Sequence, residues 1–332
     1  MMTDYYFDDR WIGVHGIGRF AKELYARLYG VSKAELSGKP AGMLDPLKSA
    51  LWLARSPGSV FFSPGFNAPA CLQARSIITL HDLIHIDIKE ESNLPKKIYY
   101  SRVVKPACRK AMCVFTVSDF SRQRIIEWSG ALPERVINVG NGVSDVFQNR
   151  AVGDEPPLAS DYFFCVSNRK AHKNEVRLLE AFRQADIPED VMLAITGKVT
   201  AEIRQHIERI GLTGRVHFTG PLDDLQLARY YRFAKALLFP SLYEGFGLPI
   251  VESMACGTPV LTSTVTSLPE VSGGAALLVN PLSTDEIASG ISRLYEDQEL
   301  RIHLSALGLE RARHFSWDLV AKRVQATLDR WQ

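Results

Sequence analysis

Residues 236–259 read ALLFPSLYEGFGLPIVESMACGTP, an apolar run followed by a loop and a helical pattern. The uninterrupted apolar start predicts a strand that is covered on both faces, as parallel strands are. Pro249 suits the first turn of the helix, where its missing N–H costs nothing, and Gly257 suits the helix end. Gly245 and Gly247 allow positive φ or a close approach of a ligand to the backbone. The stretch therefore predicts a strand–loop–helix unit whose loop faces a ligand.

The same alternation of strand and helix extends along the whole chain. The candidate strands are residues 5–7, 60–62, 76–80, 113–117, 136–139, 162–166, 191–196, 216–219, 236–239, 259–262 and 276–279. The candidate helices include residues 18–28, 118–128, 174–185, 200–210, 223–233 and 285–295. Such alternation predicts an α/β fold with doubly wound parallel sheets, and two successive series predict two domains.

The break between the domains is expected at residues 152–160, which are polar and contain Pro156 and Pro157. We therefore predict an N-terminal domain over residues 1–153 and a C-terminal domain over residues 154–314. A terminal helix over residues 315–332 carries one apolar stripe. The stripe consists of Trp317, Val320, Val324, Leu328 and Trp331.

Composition excludes several classes of protein. The 332 residues are 46% hydrophobic and 23% charged, which excludes a disordered or collagen-like chain. The net charge of +2 is too near balance for nucleic acid to be the main partner. Five scattered cysteines predict reduced thiols rather than a disulfide framework or a zinc site. With neither a leader nor a membrane-spanning stretch in the sequence, we expect a cytoplasmic protein, with peripheral contact at the inner face of the membrane left open.

Two glutamates flank the predicted helix start. Its unpaired amides, residues 246–251, would form an anion site, with Glu244 before it and Glu252 inside its first turns. One alternative is that both carboxylates simply interact favourably with the helix dipole. The complete pattern, two glutamates around G-F-G-L-P after an apolar strand, favours the functional interpretation.

This pattern resembles glycosyltransferase family 4, the retaining enzymes of the GT-B fold. EGFGLPIVE, residues 244–252, matches the signature of that family. Further matching blocks are GIGRFAKEL (16–24), TLHDLIH (79–85), TVSDFSRQRI (116–125), VGNGV (139–143), VSNRKAHKN (166–174), VHFTGPLDDLQL (216–227) and FSWDLVA (315–321). The resemblance implies two Rossmann-like domains facing a cleft, with the C-terminal helix crossing back onto the N-terminal domain.

The resemblance also implies roles for individual residues in binding the nucleotide-sugar donor. Glu244 would bind the sugar hydroxyls, and Glu252 would bind the ribose hydroxyls. Lys173 would lie on the diphosphate, where it offsets the negative charge of the leaving group. The main-chain amides of Phe246, Gly247 and Leu248 would hold the sugar and the diphosphate.

His172 occupies the position of an arginine in the family, and this departure weakens that part of the match. Arg169 is a candidate substitute, with a solvated loop arginine as the equal alternative. In the N-terminal domain, the loop with Gly16 and Gly18 would face the phosphates. His81 follows a strand and would hydrogen-bond the reacting sugar.

The segment from Gly16 to Ala21 also fits the G-x-G-x-x-A fingerprint of dinucleotide-binding sites. A nicotinamide site requires the glycine directly after the strand, whereas here the loop DDRWIGVH intervenes. This spacing argues against a dehydrogenase. His85, Asp119 and Asn141 are interpreted as structural first.

No two aspartates stand two positions apart, so a D-x-D metal site is absent from the sequence. The expected reaction uses no metal and no cofactor, with the nucleotide sugar as substrate. The resemblance implies retention of anomeric configuration through front-face attack by the acceptor. GDP-mannose is the first expected donor, ahead of UDP-glucose or a rhamnose donor, as in bacterial O-antigen and capsule enzymes. An epimerase of similar shape and a silent sugar-nucleotide-binding subunit are the alternatives.

The acceptor is expected to be a glycan or a lipid-linked glycan bound by the N-terminal domain. Residues 94–112 are basic with interleaved aromatics, which is typical of a membrane-surface patch or of a solvated helix face. Pro106 is expected to interrupt any long helix in this segment.

Overall fold

The computed structural model describes residues 4–13, 16–148 and 155–331. The strands are β1 Asp4–Phe7, β2 Val31–Lys33, β3 Ser59–Ser63, β4 Ser76–Thr79, β5 Cys113–Thr116, β6 Val136–Asn138, β7 Tyr162–Cys165, β8 Met192–Ile195, β9 Val216–Phe218, β10 Leu237–Phe239, β11 Val260–Ser263 and β12 Leu277–Val279. The helices are α1 Gly16–Tyr25, α2 Asp45–Arg55, α3 Ile84–Asp87, α4 Leu94–Tyr99, α5 Lys105–Lys110, α6 Asp119–Ser129, α7 Glu175–Gln184, α8 Ala201–Arg209, α9 Asp224–Phe233, α10 Leu248–Ala255, α11 Leu268–Ser272, α12 Thr284–Glu296, α13 Gln298–Ala312 and α14 Trp317–Asp329.

The strands form two six-stranded parallel sheets, in the orders β2-β1-β3-β4-β5-β6 and β12-β11-β10-β7-β8-β9. The predicted α/β class with doubly wound parallel sheets is therefore confirmed. In each sheet the order in which the strands are added reverses once. The reversal lies between β1 and β3 in the first sheet and between β7 and β10 in the second. Ligands of open α/β sheets bind beyond the carboxyl ends of the strands at this switch point.

The chain divides into two compact units, which we call the N-unit (Met1–Gly142 with Ser316–Gln332) and the C-unit (Val143–Phe315). The change from one unit to the other follows Gly142, whereas residues 152–154 of the expected break lie outside the described residues. Residues after Gly142 pack within the C-unit. The ring centres of Phe147 and Tyr231 lie 6.1 Å apart, and the guanidinium of Arg232 donates to the carbonyl of Val146 at 2.8 Å.

Helix α14 belongs to the N-unit. The hydroxyl of Tyr5 on β1 donates to the carbonyl of Leu328 at 2.9 Å, and the ring of Trp317 lies 6.2 Å from that of Phe20 on α1. The apolar stripe is buried at Trp317, Val320, Val324 and Leu328, while Trp331 is 48% exposed. Burial of this stripe fixes the chain end against the first strand of the sheet.

The expectation that Pro106 interrupts the helical segment is wrong. Helix α4, a π-helical stretch Tyr100–Val104 and α5 follow one another without a break. Proline lacks an N–H and clashes with the preceding turn of an α-helix. The wider π-turn accommodates it, with the amide of Lys105 donating to the carbonyl of Tyr100.

Candidate functional site

Two loops of the C-unit meet at the switch point between β7 and β10. The loop after β7 contains a 3₁₀ turn, Ala171–Lys173, and the loop after β10 leads into α10. The amide of Leu242 donates to the carbonyl of His172 at 2.7 Å, so the two loops are joined through their main chains. Both loops lie at the edge of the sheet where ligands of this fold class bind.

Asn174 fixes the end of the first loop. It adopts a left-handed conformation, with φ of 61°, directly before α7. Its buried amide donates to the carbonyls of Pro240 at 3.0 Å and Pro281 at 2.7 Å, so it joins the loops that follow three strands. The sequence analysis did not single out this residue. An asparagine before a helix was the available signal, but its distant partners are set by the tertiary structure.

Lys173 and Glu244 are brought together by these loops. The ammonium nitrogen of Lys173 lies 2.6 Å from Oε1 of Glu244, and the two side chains are 12% and 14% exposed. The same nitrogen lies 4.7 Å from the centre of the Phe239 ring at the end of β10. The pair thus holds one positive and one negative group at the switch point, with each group still partly open to solvent.

Helix α10 begins beside this pair with amides that lack protein partners. Gly247 precedes the helix with φ of 98°, and a Cβ there would lie 2.8 Å from the side chain of Leu268. Within the described part of the chain, the N–H groups of Phe246, Gly247 and Leu248 donate to no protein group. Such amides at the positive end of a helix bind anions, phosphates above all.

Ser267 and Thr266 hold the loop in this shape. The hydroxyl of Ser267 donates to the carbonyls of Glu244 at 2.9 Å and Phe246 at 3.1 Å. The hydroxyl of Thr266 accepts from the amide of Glu244 at 3.3 Å. Ser-Leu-Pro-Glu reads as a helix start, but Ser267 makes no capping bond to α11 and instead supports the functional loop. Sequence reasoning missed this role.

Glu252 lies on the buried face of α10. It is 4% exposed, and its Oε2 accepts a hydrogen bond from the hydroxyl of Tyr231 on α9 at 3.0 Å. The structure therefore gives this carboxylate a protein partner, which orients it. Its assignment to a ribose remains a prediction.

Arg169 is held within its own loop. It adopts a left-handed conformation with φ of 65°, and its guanidinium pairs with Glu175 at 2.5 Å. It also donates to the carbonyls of Lys198 at 2.9 Å and of Thr196, and it lies 4.9 Å from the centre of the Phe218 ring. These contacts bind the loops after β7 and β8 together. Its role toward a donor remains a prediction.

His81 lies after β4 in the N-unit. Its Nε2 lies 3.0 Å from the carbonyl of Pro64, which assigns the proton to Nε2 because a carbonyl only accepts. The ring centres of Phe20 and His81 lie 4.8 Å apart, and the two rings are nearly perpendicular. Burial lowers the pKa of His81 to about 4, against the opposing effect of the Pro64 hydrogen bond. The neutral ring has an Nδ1 that can accept a hydrogen bond from a sugar hydroxyl.

Gly16 and Gly18 open α1 in the N-unit. A Cβ at Gly18 would lie 2.8 Å from the main chain of Gly13, so that position has no room for a side chain. Among the described residues, a Cβ at Gly16 would meet nothing within 4 Å, and the residue is exposed. Glycine at position 16 is thus not required by packing, and it leaves the start of α1 open to a ligand.

A buried ionic network fills the switch point of the N-unit. The guanidinium of Arg10 lies 2.6 Å from both Asp8 and Asp45, and the amide of Asn67 donates to the same two carboxylates at 2.9 and 2.8 Å. The oxygen of that amide accepts from the indole of Trp11 at 2.7 Å. The network joins the loop after β1, the loop after β3 and the start of α2.

Across residues 4–13, 16–148 and 155–331, no group of three or more His, Cys, Asp or Glu side chains is arranged to hold a metal ion. The helices described there are all too short or too polar to span a bilayer.

The chain is similar to known glycosyltransferases in sequence and in fold. Residues 153–310 match the family model "Glycosyl transferases group 1". The O-antigen chain mannosyltransferase B of Escherichia coli is 29% identical over 288 residues, which cover 83% of this chain and 75% of that protein. The serotype-specific mannosyltransferase WbdA of E. coli is 28% identical over 262 residues, and the match covers 73% of this chain but only 32% of WbdA.

Among solved structures, HepE of Anabaena in complex with UDP and glucose aligns with a TM-score of 0.77 and 18% identity. The alignment covers 98% of this chain and 99% of HepE. Two parallel sheets with flanking helices in this arrangement are the GT-B glycosyltransferase fold, as expected. Residues 153–310 are therefore similar to group 1 glycosyltransferases, and the chain is similar to bacterial mannosyltransferases.

Proposed function

We propose that this protein transfers mannose from GDP-mannose to a glycan or lipid-linked acceptor during the synthesis of a surface polysaccharide. Its relatives in E. coli are named as mannosyltransferases, and one of them as an O-antigen enzyme. The proposal places the reaction in the cytoplasm and assigns it net retention of anomeric configuration. Retention is a feature of family 4, which the signature at residues 244–252 resembles.

The observation that carries the proposal is the pair of Lys173 and Glu244 beside three amides that have no protein acceptor among the described residues. Lysine and amides suit a diphosphate, while a carboxylate accepts hydrogen bonds from sugar hydroxyls. The two kinds of group lie within one loop cluster, with 2.6 Å between the lysine nitrogen and the carboxylate oxygen. A nucleotide sugar presents its diphosphate and its sugar next to each other in the same way.

In the proposed reaction, the acceptor hydroxyl attacks the anomeric carbon on the face from which the diphosphate leaves. The new glycosidic C–O bond forms as the bond to the diphosphate breaks, and the acceptor proton passes to a leaving phosphate oxygen. The products are the glycoside and GDP. Lys173 and the amides of residues 246–248 stabilise the charge that develops on the diphosphate. On this basis the reaction requires no metal.

The remaining predicted residues have supporting roles in this proposal. Glu252 binds the ribose hydroxyls, with its carboxylate oriented by the hydroxyl of Tyr231. Arg169 contributes positive potential beside the phosphates. As the resemblance to family 4 implies, His81, neutral at pH 7, accepts a hydrogen bond from the reacting sugar, and Gly16 and Gly18 are assigned to the phosphates.

A thermal-shift panel tests the donor. GDP, UDP, dTDP and ADP are compared with GDP-mannose and UDP-glucose, each with and without EDTA. A ligand that binds the native state stabilises it, by about 2.7 kcal/mol at a hundredfold excess over Kd. This added stability raises the melting temperature. We expect GDP and GDP-mannose to give the largest shifts, unchanged by EDTA.

Each outcome of the panel has a distinct meaning. A larger shift with UDP would overturn the guanine assignment but leave the transferase intact. Loss of the shift in EDTA would overturn metal independence. Conversion of the donor without an acceptor would indicate an epimerase, and binding without transfer to any acceptor would indicate a silent subunit. The comparisons favour neither of these two alternatives.

A further inference from the structure

The N-unit contains an open groove of about 590 Å³, and none of the residues that line it has a role in the reaction described above. It lies between the segment that leads into α2 and the continuous helical stretch of α4 and α5. Its lining includes Met43, Phe66, Ile98, Tyr99, Tyr100 and Arg102. Pockets for small organic ligands have volumes of about 300–1,000 Å³, so the groove has the size of a ligand site.

Most of the side chains that line the groove are apolar. Phe66 packs against Tyr99 and Tyr100, with ring centres 6.2 and 5.8 Å apart. Met43 on one rim is 94% exposed, and Ile98 on the other is 54% exposed. Side chains of this kind are normally covered, and a concave set of them indicates a surface that binds an apolar group.

The helix that lines the groove departs from regular α-geometry at this point. The π-helical stretch Tyr100–Val104 supplies Tyr100, Arg102 and Val103 to the lining. Single π-turns within α-helices occur often at functional sites, since they widen the helix and re-aim its side chains.

The charged groups of the groove are all cationic. The lining contains Lys96 and Arg102 but neither aspartate nor glutamate. Lys96 donates to the carbonyl of Glu91 at 2.9 Å, which holds its ammonium beside His85. Within the part of the chain that the structure describes, the guanidinium of Arg102 has neither a hydrogen-bond partner nor an ion pair. An unpaired guanidinium beside an apolar groove suits a phosphate, which it can bind through two parallel hydrogen bonds.

We propose that this groove binds one molecule of a lipid phosphate, with its chain on the apolar floor and its phosphate at Arg102 and Lys96. A flat membrane surface would need only a convex basic and apolar patch. The concave shape and the cations at its edge favour a single amphiphile instead. If the proposed function holds, the groove identifies the acceptor as lipid-linked through a phosphate.

Direct binding of dodecyl phosphate to the whole protein tests this proposal. Isothermal titration is carried out below the micelle concentration, with dodecyl maltoside as the neutral-head comparison. We expect saturable binding of one dodecyl phosphate and at least tenfold weaker binding of the maltoside. Arg102→Glu and Ile98→Ser are each expected to weaken binding about tenfold or more, because they remove a charged hydrogen bond and an apolar contact.

Two matched variants distinguish binding in the groove from adsorption to the surrounding surface. Lys97→Glu makes the same charge reversal and Leu94→Ser the same apolar loss on the same helical stretch, outside the groove lining. We expect both to bind dodecyl phosphate within about twofold of the wild type, since neither side chain lines the groove. Equal losses in Arg102→Glu and Lys97→Glu would overturn the proposal in favour of adsorption to a charged surface.

Three further results would overturn the proposal. They are the absence of saturable binding, equal affinity for the maltoside, and burial of the groove in a dimer detected by sedimentation. Urea unfolding of every variant confirms that the fold is intact. Nucleotide binding is measured separately in the same preparations. A protein that binds dodecyl phosphate but no nucleotide would retain the groove and lose the proposed function.

Discussion

The two sheets reverse direction in the same way, yet the residues at their switch points are used differently. In the C-unit, Lys173 and Glu244 form a single pair that is 12% and 14% exposed. In the N-unit, Arg10 is divided between Asp8 and Asp45, and these carboxylates are 0% and 2% exposed. One switch point keeps its charges within reach of solvent, and the other buries them.

The hydrogen-bond capacity of the two sites differs as well. Asn67 uses its amide nitrogen on two carboxylates and its amide oxygen on Trp11, so little capacity is left for a ligand. Beside Glu244, by contrast, the amides of residues 246–248 have no protein acceptor within the described ranges. A buried and satisfied network fixes loops, whereas a partly exposed pair beside unpartnered amides is suited to a ligand.

The largest expected effect tests the open switch point. Glu244→Ala should lower transfer by about 10²–10³-fold, the usual cost of removing one preorganised polar contact to the transition state. Nucleotide binding should persist, because Lys173 and the amides remain. Single-turnover transfer and the thermal shift with nucleoside diphosphate measure the two quantities on the same samples.

Glu299→Ala on α13 is the matched control, since Glu299 is exposed and lies outside the site. It should retain wild-type transfer and stability. Full turnover by Glu244→Ala would remove the assignment of the site. Loss of nucleotide binding together with transfer would show that Glu244 acts through the shape of the loop.

A second experiment removes the cation from each of the two ionic clusters in turn and compares the effects on stability and on nucleotide binding. Arg10→Met should lower the free energy of unfolding by about 3–5 kcal/mol, because two buried carboxylates lose their cation. Lys173→Met should cost about 1 kcal/mol, since water can reach Glu244, but should weaken nucleoside diphosphate binding about tenfold or more. Urea unfolding and calorimetric titration with the nucleotide provide the two measurements.

Lys198→Met is the control for the loss of a positive charge. Lys198 is exposed, and the contact that it makes with Arg169 uses its main-chain carbonyl, which the substitution keeps. It should behave as the wild type in both measurements. If Arg10→Met weakened nucleotide binding while the protein stayed stable, the buried network would itself belong to the donor site. The distinction between the two switch points would then be wrong.

The fold was predictable from the sequence because its central strands are continuous apolar runs. Leu237–Phe239 and Tyr162–Cys165 are fully buried, and such segments have few alternatives to a parallel strand. The edge strand Val31–Lys33 was not predicted, since it has a single apolar residue and its pairing with β1 is set by the tertiary structure. Helix Asp45–Arg55 was also missed, because its exposed Leu47 and Leu51 blur the apolar stripe.

The site was predictable only where it follows from local sequence. The loop with Glu244 and the helix start after Gly247 came from the pattern of residues 236–259. The partners that hold this loop could not be read from the pattern. Ser267 lies in a different loop, and its bonds to Glu244 and Phe246 exist only once β10 and β11 are adjacent. The π-turn before Pro106 likewise depends on the surrounding packing.

The smallest expected effect concerns the neutral histidine of the N-unit. Burial lowers the pKa of His81 to about 4, against 6.5 for an ordinary histidine. Between these two values the unfolded chain binds more protons than the folded protein, so stability rises with pH over this window and is fully present above pH 6.5. On going from pH 7 to pH 5, the wild type should lose about 1–2 kcal/mol through this group.

His81→Gln keeps a donor for the carbonyl of Pro64 but cannot take up the proton, so this part of the pH dependence should disappear. Urea unfolding of both proteins at pH 5, 6 and 7 measures the difference. His303→Gln is the matched control, since His303 is exposed on α13. An identical loss in wild type and His81→Gln would mean that His81 is charged near pH 6 in the folded protein. In that case its ring would serve as a neutral acceptor for a sugar hydroxyl only above about pH 6.5.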